Sequence, residues 1–101
     1  MPIKKKWSPY NKDTVSKISK GQGVYEIASC DGSIGYIGRG QLQSRLSSHF
    51  LGGSDPIPQA CKFRIEKLGS KKRAEQRERA LLKSYSKKNK GKLPPHNKRM
   101  G

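Results

Sequence analysis

The chain has 101 residues, with 23 Lys+Arg against 7 Asp+Glu, a net charge of +16 and a hydrophobic fraction of 31%. These values allow one domain with a modest core and call for a polyanionic partner, nucleic acid first and an anionic membrane surface second. They exclude a membrane span, which needs about 20 consecutive apolar residues, and no apolar run follows the basic Met1–Lys6 as in a signal peptide. Cys30 and Cys61 stand alone, without CxxC spacing or a nearby His. They read as two free thiols in a reducing compartment, hence a cytoplasmic, nucleoid-associated protein.

Residues 1–22 read as a basic extension with Trp7, Pro9 and Tyr10, ending in a weak helix over Asp13–Ile18. Val24–Ser29 has strand composition. Asp31-Gly32 is a two-residue hairpin signal that returns the chain through Ile34–Gly38. Gln41–Phe50 repeats Leu42, Leu46 and Phe50 at helical spacing, and a Gly/Pro loop over 52–58 follows. Lys62–Leu68 alternates Phe63 and Ile65 with charged neighbours, giving a third strand. Ser70 is placed to N-cap a helix over Lys71–Lys87. The expected fold is a small α/β domain, a three-stranded antiparallel or mixed sheet flanked by helices in the order β-β-α-β-α.

One acid stands out in that last helix. With Ala74 as zero and about 100° per residue, Leu81, Ala74, Tyr85 and Leu82 lie at roughly −20°, 0°, 20° and 80°, and Glu78 at about 40°. A carboxylate on an apolar stripe needs a cation, because an unpaired buried charge is costly. An Arg is the plainer partner and a metal ion the functional one.

Two pairs of residues accompany it. A turn at Asp31-Gly32 puts Tyr25 opposite Gly38 and Ile27 opposite Tyr36. Tyr25 and Tyr36 then share a face as diagonal neighbours, roughly 7–8 Å apart at Cα. Gly35 and Gly38 leave backbone open beside Tyr36. On the first long helix, Arg45 and His49 form an i,i+4 pair at the edge of the apolar stripe. Arg suits bidentate phosphate binding, and His titrates near neutral pH.

Gly23-Val24-Tyr25, with Tyr36-Ile37-Gly38 beginning eleven residues after Tyr25, resembles the paired motif of the GIY-YIG nucleases. Arg45 and His49 match that family's helical Arg and His. Glu78-Arg79-Ala80-Leu81-Leu82 matches its Glu-x-x-Leu-Ile/Leu, and Pro94-Pro95-His96-Asn97 its closing Pro-x-x-Asn. The resemblance spans residues 23–97, leaving 98–101 as a basic tail. The Glu78–Asn97 interval is lengthened by the Lys-rich stretch Lys87–Lys92.

The resemblance implies DNA phosphodiester hydrolysis with one Mg²⁺ or Mn²⁺. Glu78 would be the single protein ligand, since Mg²⁺ commonly keeps several waters. Arg45 would offset charge on the phosphate. Tyr25 or His49 would take the proton of the attacking water, Tyr36 would orient it, and Gly38 and Asn97 would support the site. Arg39 is a candidate DNA contact. So are Lys4, Lys5, Lys6 and Trp7, and Lys71, Lys72 and Arg73 at the start of a stretch, 71–101, with 12 Lys/Arg against 2 Glu. Such charge binds phosphates without reading sequence. Trp7 either stacks on an exposed base or packs on the domain. Selectivity would be weak, structure-based or lent by a targeting partner protein. Oligomeric state, and the choice among repair, recombination, mobile-element and restriction roles, stay open. The alternative is a non-catalytic basic nucleic-acid-binding protein.

Overall fold

A computed structural model describes residues 3, 6–49, 57, 60–95 and 97. Among these, seven elements follow in chain order: β1 (Ser8–Pro9), α1 (Lys12–Ser16), β2 (Gln22–Ala28), β3 (Ile34–Gln41), α2 (Leu42–Ser48), β4 (Lys62–Lys67) and α3 (Lys71–Lys88). The sheet has four strands in the order β1-β4-β2-β3, and every pairing is antiparallel. The expected three strands are therefore one too few.

The fourth strand comes from the segment expected as an extension. Ser8 pairs with Phe63 and Pro9 with Lys62. Asn11 caps α1 by accepting from the Thr14 N–H, and Val15 of that helix is buried. The Tyr10 hydroxyl donates to the Leu46 carbonyl at 2.5 Å. Residues 8–16 are thus built into the domain. Their composition hides this because a two-residue strand has no periodicity to display. The expected loop 52–58 lies outside the described residues, except for Ile57.

β2 is the central strand, and Gly23 to Ala28 are all buried. Helices cover both of its faces, so its sequence is nearly continuous rather than alternating in polarity. On one face Tyr25 and Ile27 pack with Leu42 and Leu46 of α2, Val15 of α1 and Phe63. On the other, Val24 and Ile37 pack with Ala74, Leu81 and Leu82 of α3. Two small cores, one on each side of the sheet, replace a single core.

The β2–β3 hairpin reaches the expected partners by a different route. Tyr25 does face Gly38, and Ile27 faces Tyr36. The turn, however, is longer than two residues: the Ser29 N–H donates to the Ser33 carbonyl, and the Gly32 N–H to the Ser29 carbonyl. Gly32 takes φ +91°, a left-handed conformation that suits glycine. Asp31 accepts from Ser29 Oγ at 2.6 Å and from the Ser33 N–H at 2.9 Å, which holds its pKa down at about 2. The shift this turn introduces is undone at a bulge between Ile27/Ala28, where Ala28 pairs with Ile34 and Gly35 is the extra residue. Two departures from the simple hairpin cancel.

The cysteines correct another expectation. Cys30 and Cys61 form a disulfide, with Cα atoms 5.0 Å apart, within the range such a bond needs. Cys30 lies in the β2–β3 turn. Cys61 precedes β4, and its N–H donates to the Ala28 carbonyl. Spacing rules for metal motifs do not test for pairing across strands; only the β2–β4 register brings these two together. The argument for a reducing compartment loses its basis. Among the described residues no helix is long and apolar enough to cross a membrane.

Candidate active site

Tyr25, Tyr36, Arg45 and His49 converge on the α2 face of the sheet. β2 and β3 hold the two tyrosines on one side, and their rings stack with centroids 5.9 Å apart. His49, the C-cap of α2, places its ring 4.7 Å from Tyr36 and 5.7 Å from Tyr25. The Tyr25 hydroxyl and His49 Nε2 are hydrogen-bonded at 2.8 Å. Both side chains are fully buried. His49 is also anchored through its carbonyl, which accepts from the Ile57 N–H.

Gly38 makes this packing possible. A Cβ there would fall on the Tyr25 hydroxyl and on the edge of the Tyr36 ring. The glycine of Tyr36-Ile37-Gly38 therefore leaves room for Tyr25 to cross over its Cα.

Arg45 reaches the same cluster from the exposed edge of α2, and its charge acts on the phenols of Tyr25 and Tyr36. Burial pushes the Tyr25 phenol well above its ordinary value, and Tyr36 adds to this. Arg45 pulls the other way without reversing it. Tyr25 is a neutral phenol at neutral pH.

Glu78 lies elsewhere. β-strand alternation sends Arg39 and Ile37 to the face opposite Tyr36 and Gly38, and that face belongs to α3. Glu78 is 7% exposed there, and its Oε1 accepts from Arg39 Nε at 3.1 Å. Burial raises the Glu78 carboxyl above its ordinary value, and Arg39 offsets part of this. The expected convergence of Glu78 with the tyrosines on one surface is not what forms. The tyrosine–histidine cluster and the Glu78–Arg39 pair occupy opposite faces, with β3 between them. β3 is an edge strand, so the two groups are separated by a strand edge rather than by the body of the sheet.

Asn97 closes that edge. Its Oδ1 accepts from the Ile37 N–H and its Nδ2 donates to the Ile37 carbonyl, both at 2.9 Å. The side chain pairs with β3 as another strand would. The lengthened interval before it is absorbed by α3 running to Lys88 and by a reversal at Lys90 and Gly91, both with positive φ. Asn97 braces the backbone between Tyr36 and Gly38.

The remaining predicted contacts disperse. Arg39 is the Glu78 partner rather than an outward-reaching cation. Alternation from Tyr36 is the signal that places it on the Glu78 face. Trp7 is half-buried and packs on β4, with the Arg64 guanidinium 4.1 Å and the Lys62 ammonium 5.7 Å from its ring centroid. Lys6, Lys71, Lys72 and Arg73 are exposed, whereas Lys4 and Lys5 lie outside the described residues.

Residues 1–88 match the family described as "Domain of unknown function (DUF7508)". The chain belongs to that family. No curated protein and no solved structure matches it. The DUF7508 match takes in β1 and α1, in keeping with their place in the fold. It also takes in Tyr25, Tyr36, Arg45, His49 and Glu78, and stops short of Asn97.

A one-ion centre can be weighed against these residues. Among those described, no three His, Cys, Asp or Glu side chains cluster as a multidentate metal cage. A hydrated Mg²⁺ does not need one, since a single hard carboxylate with waters and substrate oxygens suffices. Glu78 is a hard carboxylate of this kind, with its Oε1 accepting from Arg39 Nε, a bond that an ion at this oxygen would have to displace. The residues fit a one-carboxylate ion.

Proposed function

We propose that this chain is a divalent-metal-dependent DNA endonuclease of the GIY-YIG type, with its reactive groups set around the edge strand β3. The observation that carries this reading is the Tyr25–Tyr36–His49 cluster with Arg45 at its open side. Four residues from two strands and a helix meet there, in the order of that family's motifs, with the interval from Tyr36-Ile37-Gly38 to Arg45 about one residue shorter than is common.

The roles follow from the chemistry of each group. Arg45 would bind a non-bridging phosphate oxygen and offset the charge that grows on it. Tyr36, partly exposed, would hydrogen-bond the phosphate or the attacking water. Tyr25 is kept protonated by burial, so it serves as a relay rather than as a stored base. Its Oη would take the proton of a water admitted to the buried cluster while its own proton passes to His49 Nε2 across the existing hydrogen bond, with the imidazole as acceptor. Tyr25 ends the step neutral and His49 ends it cationic. Glu78, on the other side of the edge, would hold Mg²⁺ or Mn²⁺, whose chemistry is to stabilise the leaving oxygen. Asn97 keeps the strand between the two groups straight.

The Arg39–Glu78 ion pair favours a second reading, a non-catalytic nucleic-acid-binding protein, because it gives the buried acid a structural partner. One experiment separates the two. Purified chain is incubated with labelled single-stranded, double-stranded and branched DNA, with Mg²⁺, Mn²⁺ or chelator, beside Glu78→Gln and Arg45→Ala. The nuclease reading expects metal-dependent cleavage that Glu78→Gln abolishes. It expects Arg45→Ala to lose about 10²–10³-fold in turnover with little loss of DNA affinity. Cleavage that survives Glu78→Gln, or none by the wild type on any substrate, rejects it.

A further inference from the structure

The far side of the sheet carries a second feature, remote from the β3 edge. β1 pairs only with Lys62 and Phe63, so β4 continues past it. Antiparallel ladders send alternate residues' N–H and C=O groups to opposite sides. Gln22 accepts from the Leu68 N–H, which directs the backbone groups of Glu66 and Arg64 toward β2. Those of Ile65 and Lys67 face the other way. Beside them lies a groove of about 340 Å³ between β4 and α1.

The lining of this groove carries both cations and hydroxyls. Lys6, Lys17, Lys67 and Ile65 line it, with the hydroxyls of Thr14 and Ser19. Lys17 is paired with Asp13, but both side chains are largely exposed, at 74% and 80%, where such a pair is worth little. Lys6 and Lys67 have no carboxylate partner among the described residues. None is to spare: each described carboxylate is already held by Lys17, Arg64, Arg77, Arg79, Arg39 or the Ser29–Ser33 turn. Among the described residues, no carboxylate is left over for the surplus positive charge at this groove.

We infer that the groove between α1 and the part of β4 beyond β1 binds the phosphodiester backbone of a nucleic-acid strand. Lys6 and Lys67 supply counter-charge, and the Ile65 and Lys67 N–H groups and the Thr14 and Ser19 hydroxyls supply donors. Backbone N–H and hydroxyl groups with lysines are the usual donor set for phosphate oxygens, and they read no sequence. Phe63, the nearest aromatic on β4, is buried and gives no surface for base stacking. Binding is therefore sequence-tolerant and steeply salt-dependent. This inference shares with the proposed function only the nucleic-acid partner; it needs neither cleavage nor a metal.

The test measures binding with chelator present, which separates it from catalysis. Fluorescence anisotropy of a short labelled deoxythymidine oligomer, and of a duplex of equal length, is followed between about 50 and 200 mM salt. The wild type is compared with Lys6→Glu/Lys67→Glu and with a control of equal charge change on the exposed face of α3, Lys83→Glu/Lys87→Glu. A neutral pair, Lys6→Gln/Lys67→Gln, guards against a folding defect, and thermal melts must match the wild type. The groove pair is expected to lose at least ~10-fold in affinity and to lower the salt slope by about 2, one unit per phosphate contact removed. The neutral pair should move the same way by less, and the control by under about 3-fold. The two probes tell which form of nucleic acid fills the groove. Equal losses in groove and control variants overturn the inference in favour of diffuse attraction. Absence of binding by the wild type overturns it as well. So does groove-dependent binding of a polyglutamate peptide without any of nucleic acid, which makes β4 an edge for an acidic strand. Groove-dependent binding without cleavage leaves this inference standing and removes the nuclease.

Discussion

The two faces of the sheet bury polar groups by different means. On the α2 face the polar groups are phenols and an imidazole, bonded to one another and packed as rings. On the α3 face they are full charges in Arg–Glu pairs: Arg64–Glu26, Arg77–Glu66 and Arg39–Glu78. A buried phenol that keeps a hydrogen bond offsets most of its lost solvation, so the first face resembles an ordinary aromatic core. Ions lose far more, and each must keep its partner. The α3 face is therefore less tolerant of losing one member, and its three pairs fix how α3 and β3 lie against β2 and β4.

The largest expected effect tests that asymmetry. Glu26 is almost fully buried in the central strand, with Arg64 Nε at 2.5 Å. Glu26→Gln leaves Arg64 without its counter-charge and should cost about 3 kcal/mol, the lower end for a broken buried pair, because Arg64 keeps the Trp7 ring. Denaturant midpoints measure it. Glu26→Leu combined with Arg64→Met should recover most of the loss, since a buried ion pair and an apolar pair of similar size are close in stability. A cost under about 1 kcal/mol for the single change would show that the α3 face is no more brittle than the other.

The α2 face should break through shape instead. Gly38→Ala places a methyl against the Tyr25 hydroxyl and the Tyr36 ring, and overpacking of this kind costs about 1–3 kcal/mol. Gly21→Ala is the control, as its new Cβ would meet only Lys67 Cδ at 4.0 Å. If the two substitutions are equally mild by thermal melting, the ring cluster is not tightly packed. The difference between faces would then be one of charge alone.

How far the sequence discloses these faces depends on periodicity. α3 is legible because its stripe repeats over many turns and Ser70 caps it; the Arg73 N–H does donate to Ser70 Oγ. The tyrosine pair is legible because a hairpin ties neighbours together locally, and the bulge happens to cancel the longer turn. β1 is too short to show a pattern, and the disulfide depends on the β2–β4 register, which no local signal sets. The separation of Glu78 from Tyr25 escaped for another reason. A helical stripe tells that Glu78 faces a sheet, but not which side of the sheet it faces. Only the alternation of β3, with Tyr36 on one side and Ile37 and Arg39 on the other, decides that.

Glu78 and Glu26 share a face, yet they should respond in opposite ways, and this is the smallest and sharpest of the tests. Burial raises the Glu78 carboxyl above its ordinary 4.5 by more than Arg39 lowers it. The folded state then binds more protons than the unfolded state at pH values between the unfolded and folded pKa. Stability must fall as pH rises through that window, which begins in the ordinary carboxyl range. Its contribution is greatest below the unfolded value and is lost above the folded one. Glu78→Gln removes this slope. At neutral pH the variant should be within about 1 kcal/mol of the wild type or more stable, because it removes a charge whose burial outweighs its pairing, and Arg39, 27% exposed against 16% for Arg64, keeps more of its own solvation. Unfolding free energies of both proteins from pH 4 to 7 measure it, as a slope present in one and reduced in the other. A loss as large as that of Glu26→Gln would make Glu78 a structural ion-pair partner like its neighbour. A neutral or stabilising effect marks it as an acid retained against the interest of the fold, which is what a residue kept for a metal ion at the β3 edge requires.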